Sequence, residues 1–285
     1  MNYRFSYHDE YEQYLIEQMR ADLTIHSYMM EMTIFFAWLG RVHPHMELHQ
    51  IGYSTVTQFI EEELKAGRQV STVNKKISAL KSYFHFLWLK GVIGIDPCAK
   101  LKRRPDKKEE QAFYLTDEEV DFLLRTVEQD AAAKNKQEIY LRNMALISLF
   151  LWGGLRIQEA SNLLWNEIIW ENDSTIIGIS LGNIRRVVLT AHEARFLRAY
   201  KEVSGDSPFV FTSRQGERMS PRSIQFILNT LGKKAGLHIH AQKLRNTFVV
   251  QKMLRGYSRD EVADMLGIEQ LILPDHIMEE IAAQR

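Results

Sequence analysis

The sequence predicts a mainly α-helical protein with a small antiparallel β-sheet in its second half. Amphipathic stretches with helical spacing fill residues 8–103. Short β-branched runs flank Asn-Asp and Gly-Asn turns between residues 166 and 189, and helical spacing resumes from residue 191. Pro97 and Pro105 frame a helix-poor join between the two parts. We therefore expect an N-terminal helical domain over residues 1–103, a linker over 104–112 and an α+β domain over 113–285.

The composition is typical of a globular chain without net charge. Its 285 residues are enough for two domains, 45% are apolar, and 36 Lys and Arg balance 36 Asp and Glu. The single cysteine, Cys98, excludes an intramolecular disulfide and a cysteine-rich zinc site, and it is typical of a reducing cytosol. The N-terminus lacks the apolar stretch of a signal peptide, and no apolar run approaches the ~20 residues of a membrane helix. We expect a cytoplasmic protein without membrane contact, metal or cofactor.

Four amphipathic helices are predicted in the first domain, with apolar and aromatic stripes that form its core. Capping and stop residues predict their bounds. The first helix covers residues 11–20, Thr24 caps the second and Gly40 ends it, Ser54 or Thr55 caps the third, and Ser71 or Thr72 opens the fourth.

Positive charge concentrates on the fourth helix and on the segment after it. Residues 71–108 contain ten Lys or Arg against two Asp. Lys75, Lys76 and Lys81 are expected to lie away from the apolar stripe of the helix. Six more basic residues follow Pro97: Lys100, Lys102, Arg103, Arg104, Lys107 and Lys108. This pattern indicates a local surface that attracts phosphates, although a merely solvated linker has the same composition.

Local signals also predict most elements of the second domain. Thr116 and Glu119 form a capping box, and Ser220 with Pro221 begins a later helix. Strands over residues 175–179 and 185–189 flank Gly182-Asn183. Three further helices are predicted over 191–200, over 259–266 with a stop at Gly267, and over 277–283.

Two arginines near helix starts are candidate anion ligands. Gly153 and Gly154 break a buried helix, and a new helix restarts at Arg156. Free N–H groups and the helix dipole attract anions to such a place, and the guanidinium fork matches two phosphate oxygens. The alternative is an ordinary surface pair of Arg156 with Glu159. Arg245 lies near the start of another predicted helix.

The order of these segments resembles the tyrosine recombinases, the phage-integrase superfamily, of the Xer kind. In that family an N-terminal helical, SAM-like core-binding domain with a basic last helix precedes an α+β catalytic domain. The segments that carry the resemblance are residues 96–103 (interdomain linker), 114–120 (start of the catalytic domain), 154–160 with 163–165 (first arginine box) and 244–248 (second arginine box).

The resemblance implies a specific chemistry. In the family a tyrosine attacks a DNA phosphodiester and forms a 3′-phosphotyrosine link, while two arginines stabilise the phosphoryl oxygens. A hairpin lysine protonates the leaving 5′ oxygen. A histidine three residues before the second arginine, and a histidine or tryptophan after a Leu-Gly pair, complete the network. Arg156 and Arg245 match the two arginines.

The other catalytic positions depart from the family pattern. The hairpin lysine position holds Leu181, and Gln242 replaces the histidine before Arg245. Gln242 can hydrogen-bond but cannot act as an acid or base, and Lys243 beside it could partly substitute. Ile268 follows the Leu-Gly pair, and Ile277 stands near the nucleophile position.

Two residues near the C-terminus are weak substitutes for the missing nucleophile. No tyrosine follows Tyr257, which precedes the Leu-Gly pair and so does not match the family position. His276 lies beside the expected place and could form a phosphoryl intermediate, although a surface histidine is the simpler interpretation.

The sequence leaves three hypotheses open. The first is a protein with a degenerate active site that binds double-stranded DNA between its domains, alone, self-associated or with a partner protein. It would act in recombination, integration, regulation, or mobile-element or conjugative-plasmid processing. The second is a DNA strand-breaking enzyme, recombinase or relaxase-like, with Tyr257 as the first candidate nucleophile. The third is a protein-interaction module without DNA binding, against which the basic segment argues. Expected phosphate contacts are Lys75, Lys76, Lys81, Arg103, Arg104, Arg186 and Lys243.

Overall fold

The computed structural model describes residues 5–20, 22–105, 112–132, 137–182, 184–213 and 215–285. The chain separates into two compact units, Met1–Lys108 and Glu109–Arg285. Within the described residues the fold is mainly helical with one three-stranded antiparallel sheet, as the sequence predicts.

The first unit is a helical bundle around an aromatic core. Its helices are α1 (His8–Glu17), α2 (Asp22–Val42), α3 (Tyr53–Lys65) and α4 (Val70–Leu89), and α4 packs against the other three. Aromatic side chains from every helix meet in the core, including Tyr11, Phe35, Phe59 and Phe84. The methionine and aromatic stripes of the sequence therefore serve packing.

The predicted caps of this unit are wrong by two to three residues. Helix α2 begins at Asp22 and continues past Gly40, so Thr24 lies inside it. Gly52 and Gln69 precede α3 and α4, and neither makes a side-chain capping hydrogen bond. Packing against the aromatic core, rather than a capping side chain, sets these helix starts.

The basic segment after α4 lies against that helix up to residue 105. Asn74 binds the backbone of Arg104 in both directions, with its Oδ1 2.8 Å from the amide nitrogen and its Nδ2 2.9 Å from the carbonyl oxygen. Lys81 Nζ donates to the carbonyl oxygen of Leu101, a core residue, at 3.2 Å. Lys107, Lys108 and most of the predicted linker lie outside the described residues.

The second unit surrounds a buried central helix with helices and one sheet. Residues of α6 from 143 to 151 are all buried, and α6 packs against α5, α8 and α10. The elements of this unit are α5 (Asp117–Ala132), α6 (Gln137–Leu151), α7 (Ile157–Asn162), β1 (Ile168–Trp170), β2 (Ser174–Ile179), β3 (Arg185–Thr190), α8 (Arg195–Val203), α9 (Pro221–Lys234), α10 (Ala241–Leu254), α11 (Arg259–Leu266) and α12 (Asp275–Gln284).

The sheet has the order β1-β2-β3 with antiparallel pairing throughout. Ile177 pairs with Ile168 on one side and with Val187 on the other, so these three side chains share the buried face. Ile179 pairs with Arg185 in the last register position before the β2–β3 turn. Gly182 in this turn has φ +77°, whereas Asn183 lies outside the described residues.

The capping predictions in this unit are confirmed. Thr116 and Glu119 exchange both capping-box hydrogen bonds, and Ser220 accepts from Ser223 N with Pro221 at the first helical position. Gly267 ends α11 in the left-handed region at φ 60°. The helix predicted from residue 191 instead begins at Arg195, because Thr190 and Glu193 form a turn before it. In the part of the chain described here, no helix is long and apolar enough to cross a membrane.

Candidate functional site

The loop between α6 and α7 lies very close to α10. Gly154 has φ +59°, and a Cβ on it would lie 2.7 Å from Cδ1 of Phe248. Only glycine fits this close approach. Gly154 precedes Arg156 by two residues in the loop. Its carbonyl oxygen accepts a hydrogen bond from Nη1 of Arg245. The glycine break thus brings the two predicted arginines to one place.

Arg156 precedes α7 and is bound to Glu159 in two ways. Its backbone amide donates to Oε2 of Glu159 at 2.6 Å, and its Nη1 donates to Oε1 at 2.8 Å. The predicted pair with Glu159 is therefore present, but Glu159 is buried, not on a surface. The Arg156 side chain is 39% exposed, and its Nε and Nη2 make no hydrogen bond to a residue that the structure describes.

Arg185, on the first position of β3, is a third arginine of the site that the sequence analysis missed. Its Nη1 and Nη2 donate to Oε1 and Oε2 of Glu159 at 2.6 and 2.8 Å, and its Nε donates to the carbonyl oxygen of Met265 at 3.1 Å. A signal for it was present in the strand pattern. Arg185 is two residues before Val187 and four before Leu189, so it lies on the same inward face of the strand, and an inward arginine needs a buried partner.

Arg245 is buried in α10 and forms no ion pair with a carboxylate of the described residues. It donates to the carbonyl oxygens of Gly154 and Leu266, the latter at 3.3 Å. The pKa of Arg245 is lowered to about 10, mainly by burial and also by the charges of Arg156 and Arg185, against the opposing effect of Glu159. Its charge is therefore poorly compensated in the free protein.

Three guanidiniums surround one carboxylate, so the arginine cluster of Arg156, Arg185 and Arg245 with Glu159 carries excess positive charge. Burial raises the pKa of Glu159, but hydrogen bonds from Arg185 and Arg156 lower it more, and the net pKa lies below the ordinary value. The carboxylate is thus ionised at neutral pH. A phosphate is the natural counter-ion for the remaining charge.

The resemblance implies catalytic roles for three further positions, which Leu181, Ile268 and Ile277 occupy. Leu181 is partly exposed at the hairpin, and Ile268 follows the cap of α11. Ile277 in α12 is only 2% exposed and packs in the apolar core that α10, α11 and α12 share. His276, next to it, is exposed.

Gln242 and Lys243 lie at the start of α10 with different surroundings. Gln242 is exposed and donates to Asn246 Oδ1 at 2.9 Å. Lys243 is buried, and its amide donates to Nδ1 of His240, the N-cap of the helix, at 3.1 Å. Among the described residues, no hydrogen bond joins either side chain to the arginine cluster.

Tyr257 lies at the far end of α10 from Arg245. Nine residues separate Arg245 from the last residue of the helix, Leu254, which is roughly 14 Å of helix axis at 1.5 Å per residue. Nζ of Lys252 lies 5.5 Å from the centroid of the Tyr257 ring. The carbonyl oxygen of Tyr257 accepts a hydrogen bond from Nη2 of Arg285 at 3.0 Å. The structure does not bring this tyrosine and the arginine cluster together.

The predicted position of Lys76 is wrong. Lys76 is buried, and its Nζ lies 2.9 Å from Glu31 Oε2 and 3.4 Å from Glu63 Oε2. The apolar stripe of α4 is wide enough to include this position, and carboxylates from α2 and α3 neutralise the ammonium. A lysine held this way is not available to an external phosphate.

The other basic candidates, except the buried Lys243, are at least partly accessible, so the predicted phosphate contact of Lys243 is also wrong. Lys75 is 51% exposed although it pairs with Glu31 at 3.3 Å, and Lys81 is exposed on the same helix. Arg103 is exposed and donates to Ser78 Oγ at 3.0 Å, whereas Arg104 forms an ion pair with Glu61. Arg186 is exposed on the outer face of β3.

A groove of about 600 Å³ between α2 and α4 collects several of these donors. Its lining includes Lys75 and Arg103 with the hydroxyls of Thr24, Ser27, Tyr28, Ser71 and Ser78. The described residues contain no cluster of His, Cys, Asp and Glu that could hold a metal ion.

Each of the two units matches a known protein-domain family. The profile of the "Phage integrase family" matches residues 114–271, and that of the "Phage integrase, N-terminal SAM-like domain" matches residues 8–91. Tyrosine recombinase XerC of Oceanobacillus iheyensis is 26% identical over 300 residues, covering 98% of this chain and 95% of the relative. Tyrosine recombinase XerA of Pyrococcus horikoshii is 25% identical over 271 residues, with coverage of 91% and 84%.

Solved structures share the fold at lower identity. The Tn1549 transposon integrase in complex with circular intermediate DNA has a TM-score of 0.74 and 15% identity, covering 95% of this chain and 94% of that one. The XerH site-specific recombinase bound to palindromic difH substrate has a TM-score of 0.68 and 17% identity, with coverage of 92% and 79%. A lambda integrase tetramer bound to a Holliday junction has a TM-score of 0.66 and 17% identity, with coverage of 93% and 77%. With its catalytic-type and SAM-like domains both matched, the chain belongs to the phage integrase family of tyrosine recombinases.

Proposed function

We propose that this family member binds double-stranded DNA and holds a backbone phosphate at its arginine cluster, without carrying out ordinary tyrosine-mediated strand exchange. The observation that supports phosphate binding is the excess positive charge of three guanidiniums around one buried carboxylate. Arg156 is 39% exposed, and among the described residues its Nε and Nη2 have no hydrogen-bond partner and Arg245 has no ion-pair partner. A phosphate diester would meet both needs.

The absence of strand exchange follows from the side chains at the catalytic positions. A hydrocarbon side chain can neither attack phosphorus nor protonate a leaving oxygen, and this applies to Ile277 and Leu181. Ile277 is also buried in the core, so substituting a tyrosine there would require repacking. Tyr257 follows the C-terminal end of α10, roughly 14 Å of helix axis beyond Arg245, which is too far to attack a phosphate held there.

Further phosphate contacts would come from the basic surface of the first unit. Lys75, Lys81 and Arg103 are exposed, and the groove that Lys75 and Arg103 line is rich in hydroxyl donors. Ammonium and guanidinium groups on such a surface release counter-ions from DNA, so the binding should depend on salt. Base contacts from the exposed side of α4 would then supply sequence preference.

The process that this binding serves is proposed at the level of the family: recombination, integration, or processing of a mobile element or conjugative plasmid. Solved proteins with this fold are bound to recombination substrates, and one of them is a tetramer. Self-association on DNA, or assembly with a recombination or transfer protein, fits the same role.

A nicked duplex from the protein's genetic neighbourhood, analysed on a native and a denaturing gel in parallel, tests the proposal. We expect a salt-sensitive shift on the native gel and no covalent adduct on the denaturing gel. Arg156→Ala with Arg245→Ala should weaken the shift, and Arg255→Ala, an exposed arginine at the other end of α10, is the matched control. A covalent adduct would overturn the loss of strand exchange, and unchanged binding by the double variant would overturn phosphate binding by the arginines.

A further inference from the structure

The carboxylate of Glu159 binds two guanidinium groups, those of Arg185 and Arg156. Arg185 binds both of its oxygens, at 2.6 and 2.8 Å, whereas the side chain of Arg156 reaches only Oε1. The backbone amide of Arg156 takes a further place on Oε2. Each carboxylate oxygen therefore accepts two hydrogen bonds, and the capacity of Glu159 is filled.

Arg185 cannot itself touch a ligand in solvent. Its side chain is 5% exposed, and Nε, Nη1 and Nη2 are all engaged, with Met265 O and the two oxygens of Glu159. The hydrogen bond to Met265 also ties β3 to the C-terminal end of α11, next to the carbonyl that Arg245 uses. Apart from the electrostatic effect of its charge, Arg185 can act on a bound anion only through the groups it binds, chiefly Glu159.

Competition for Glu159 decides how much of Arg156 remains free. A carboxylate and an arginine prefer the two-bond, fork-to-fork geometry. Without Arg185, both oxygens of Glu159 would be open to Arg156, whose Nε and Nη2 are the nitrogens not bound to any described residue. The same nitrogens are the ones that a phosphate would use.

We propose that Arg185 is a positioning residue that occupies Glu159 and thereby keeps the guanidinium of Arg156 free for a DNA phosphate. The inference rests on the proposed phosphate site and adds a residue that touches no DNA. It also explains why a third arginine is buried at a site that already carries excess positive charge. Glu159, whose charge Arg185 balances, still accepts the hydrogen bond from the backbone amide of Arg156. Its attraction for the side chain of Arg156 is weaker because Arg185 binds the same two oxygens.

The test is a double-mutant cycle read by DNA affinity on a fluorescent duplex. Arg185→Met should weaken binding about tenfold or more, because Glu159 then captures Arg156. Adding Glu159→Gln to Arg185→Met should restore most of the affinity, since a neutral amide does not compete with a phosphate for a guanidinium. Because Glu159→Gln would also relieve a folding defect, the affinities are compared between variants with equal unfolding temperatures, where a purely structural role for Arg185 produces no rescue of DNA binding.

Arg186→Met is the matched control, because Arg186 is the neighbouring arginine on the exposed face of β3. Arg186→Met should lower the salt dependence of DNA binding, and adding Glu159→Gln should not restore it. Thermal unfolding confirms that each variant is folded, and if Arg185→Met does not fold, Arg185→Lys with and without Glu159→Gln replaces it.

The outcomes separate the inference from the proposed function. Equal affinity in the single and double variants, or full affinity in Arg185→Met, overturns the positioning role. If the unaltered protein fails to bind DNA, or if Arg156→Ala does not weaken binding, the proposed phosphate site itself fails. If Glu159→Gln does not restore affinity to Arg185→Met while Arg156→Ala strongly weakens binding, the positioning role of Arg185 is refuted and the phosphate site stands.

Discussion

Arg245→Met should separate DNA affinity from stability, because the charge of Arg245 is poorly compensated when no DNA is bound. The pKa of Arg245 is lowered to about 10. Against ~12.5 for a solvated guanidinium, at about 1.4 kcal/mol for each pKa unit, the charged side chain is about 3 kcal/mol less favourable in the fold than in water. Methionine removes this cost and fills a similar volume.

The loss of two hydrogen bonds opposes this gain. The carbonyl oxygens of Gly154 and Leu266 would lose their donor, at about 1–3 kcal/mol each. The two effects largely offset each other, so the free energy of unfolding should change by no more than about 3 kcal/mol. DNA affinity should nevertheless fall at least ~10-fold, which corresponds to about 1.4 kcal/mol.

Urea unfolding and a fluorescence anisotropy titration on the same preparation measure both quantities. Arg255→Met, at the exposed end of the same helix, should change neither by more than about 0.5 kcal/mol. A folded Arg245→Met variant with unchanged DNA affinity would refute the assignment of Arg245 to a phosphate site. A loss of stability beyond about 5 kcal/mol would instead make Arg245 a structural residue.

Four further predictions concern other parts of the site and the basic surface. Ile277→Tyr should lower stability by about 1–3 kcal/mol through overpacking, and it should form no adduct on a nicked duplex, which a melting curve and a denaturing gel would show. Lys76→Met should destabilise the first unit by about 3–5 kcal/mol because Glu31 and Glu63 lose their buried partner. Lys81→Met should instead lower the salt slope of DNA binding by about 1 with little effect on melting. The contribution of Glu159 to stability should be present above the unfolded-state pKa of about 4.3 and lost as pH falls through its lower folded pKa. Urea unfolding between pH 6 and 3 should show this loss in the unaltered protein, and Glu159→Gln should lack that part of the pH dependence.

Much of the fold was predictable because local hydrogen bonds leave signals at fixed spacing. The capping box of Thr116 and Glu119, the Ser220-Pro221 start and the stop at Gly267 all act within three or four residues. The strand pairing around Gly182 follows from the β-branched runs on either side of it. Helix starts without capping side chains, such as Tyr53 and Val70, were misplaced because packing determines them.

The candidate site was predictable only in part. Arg156 and Arg245 were found from the glycine break and from the resemblance to a family, and the structure places their main-chain and side-chain partners together. Arg185 was missed because its partner, Glu159, is 26 residues away in the chain. Lys76 was placed on the wrong face because the sequence pattern alone does not show that Glu31, 45 residues away, lies beside it.

By itself, the sequence determined most of the helical and β segments. It also placed Arg156 and Arg245 in motifs that resemble the arginine boxes of the family, and Leu181 and Ile277 at the positions where the resemblance implies a lysine and a tyrosine. These are properties of residue identity and short-range spacing, which the chain carries in any conformation. Only the tertiary structure decided that Arg185 shares Glu159 with Arg156, that Lys76 is buried, and that Tyr257 is remote from Arg245. Burial and charge pairing depend on which distant segments pack together, and the low polarity of the interior makes each such charge require a partner there.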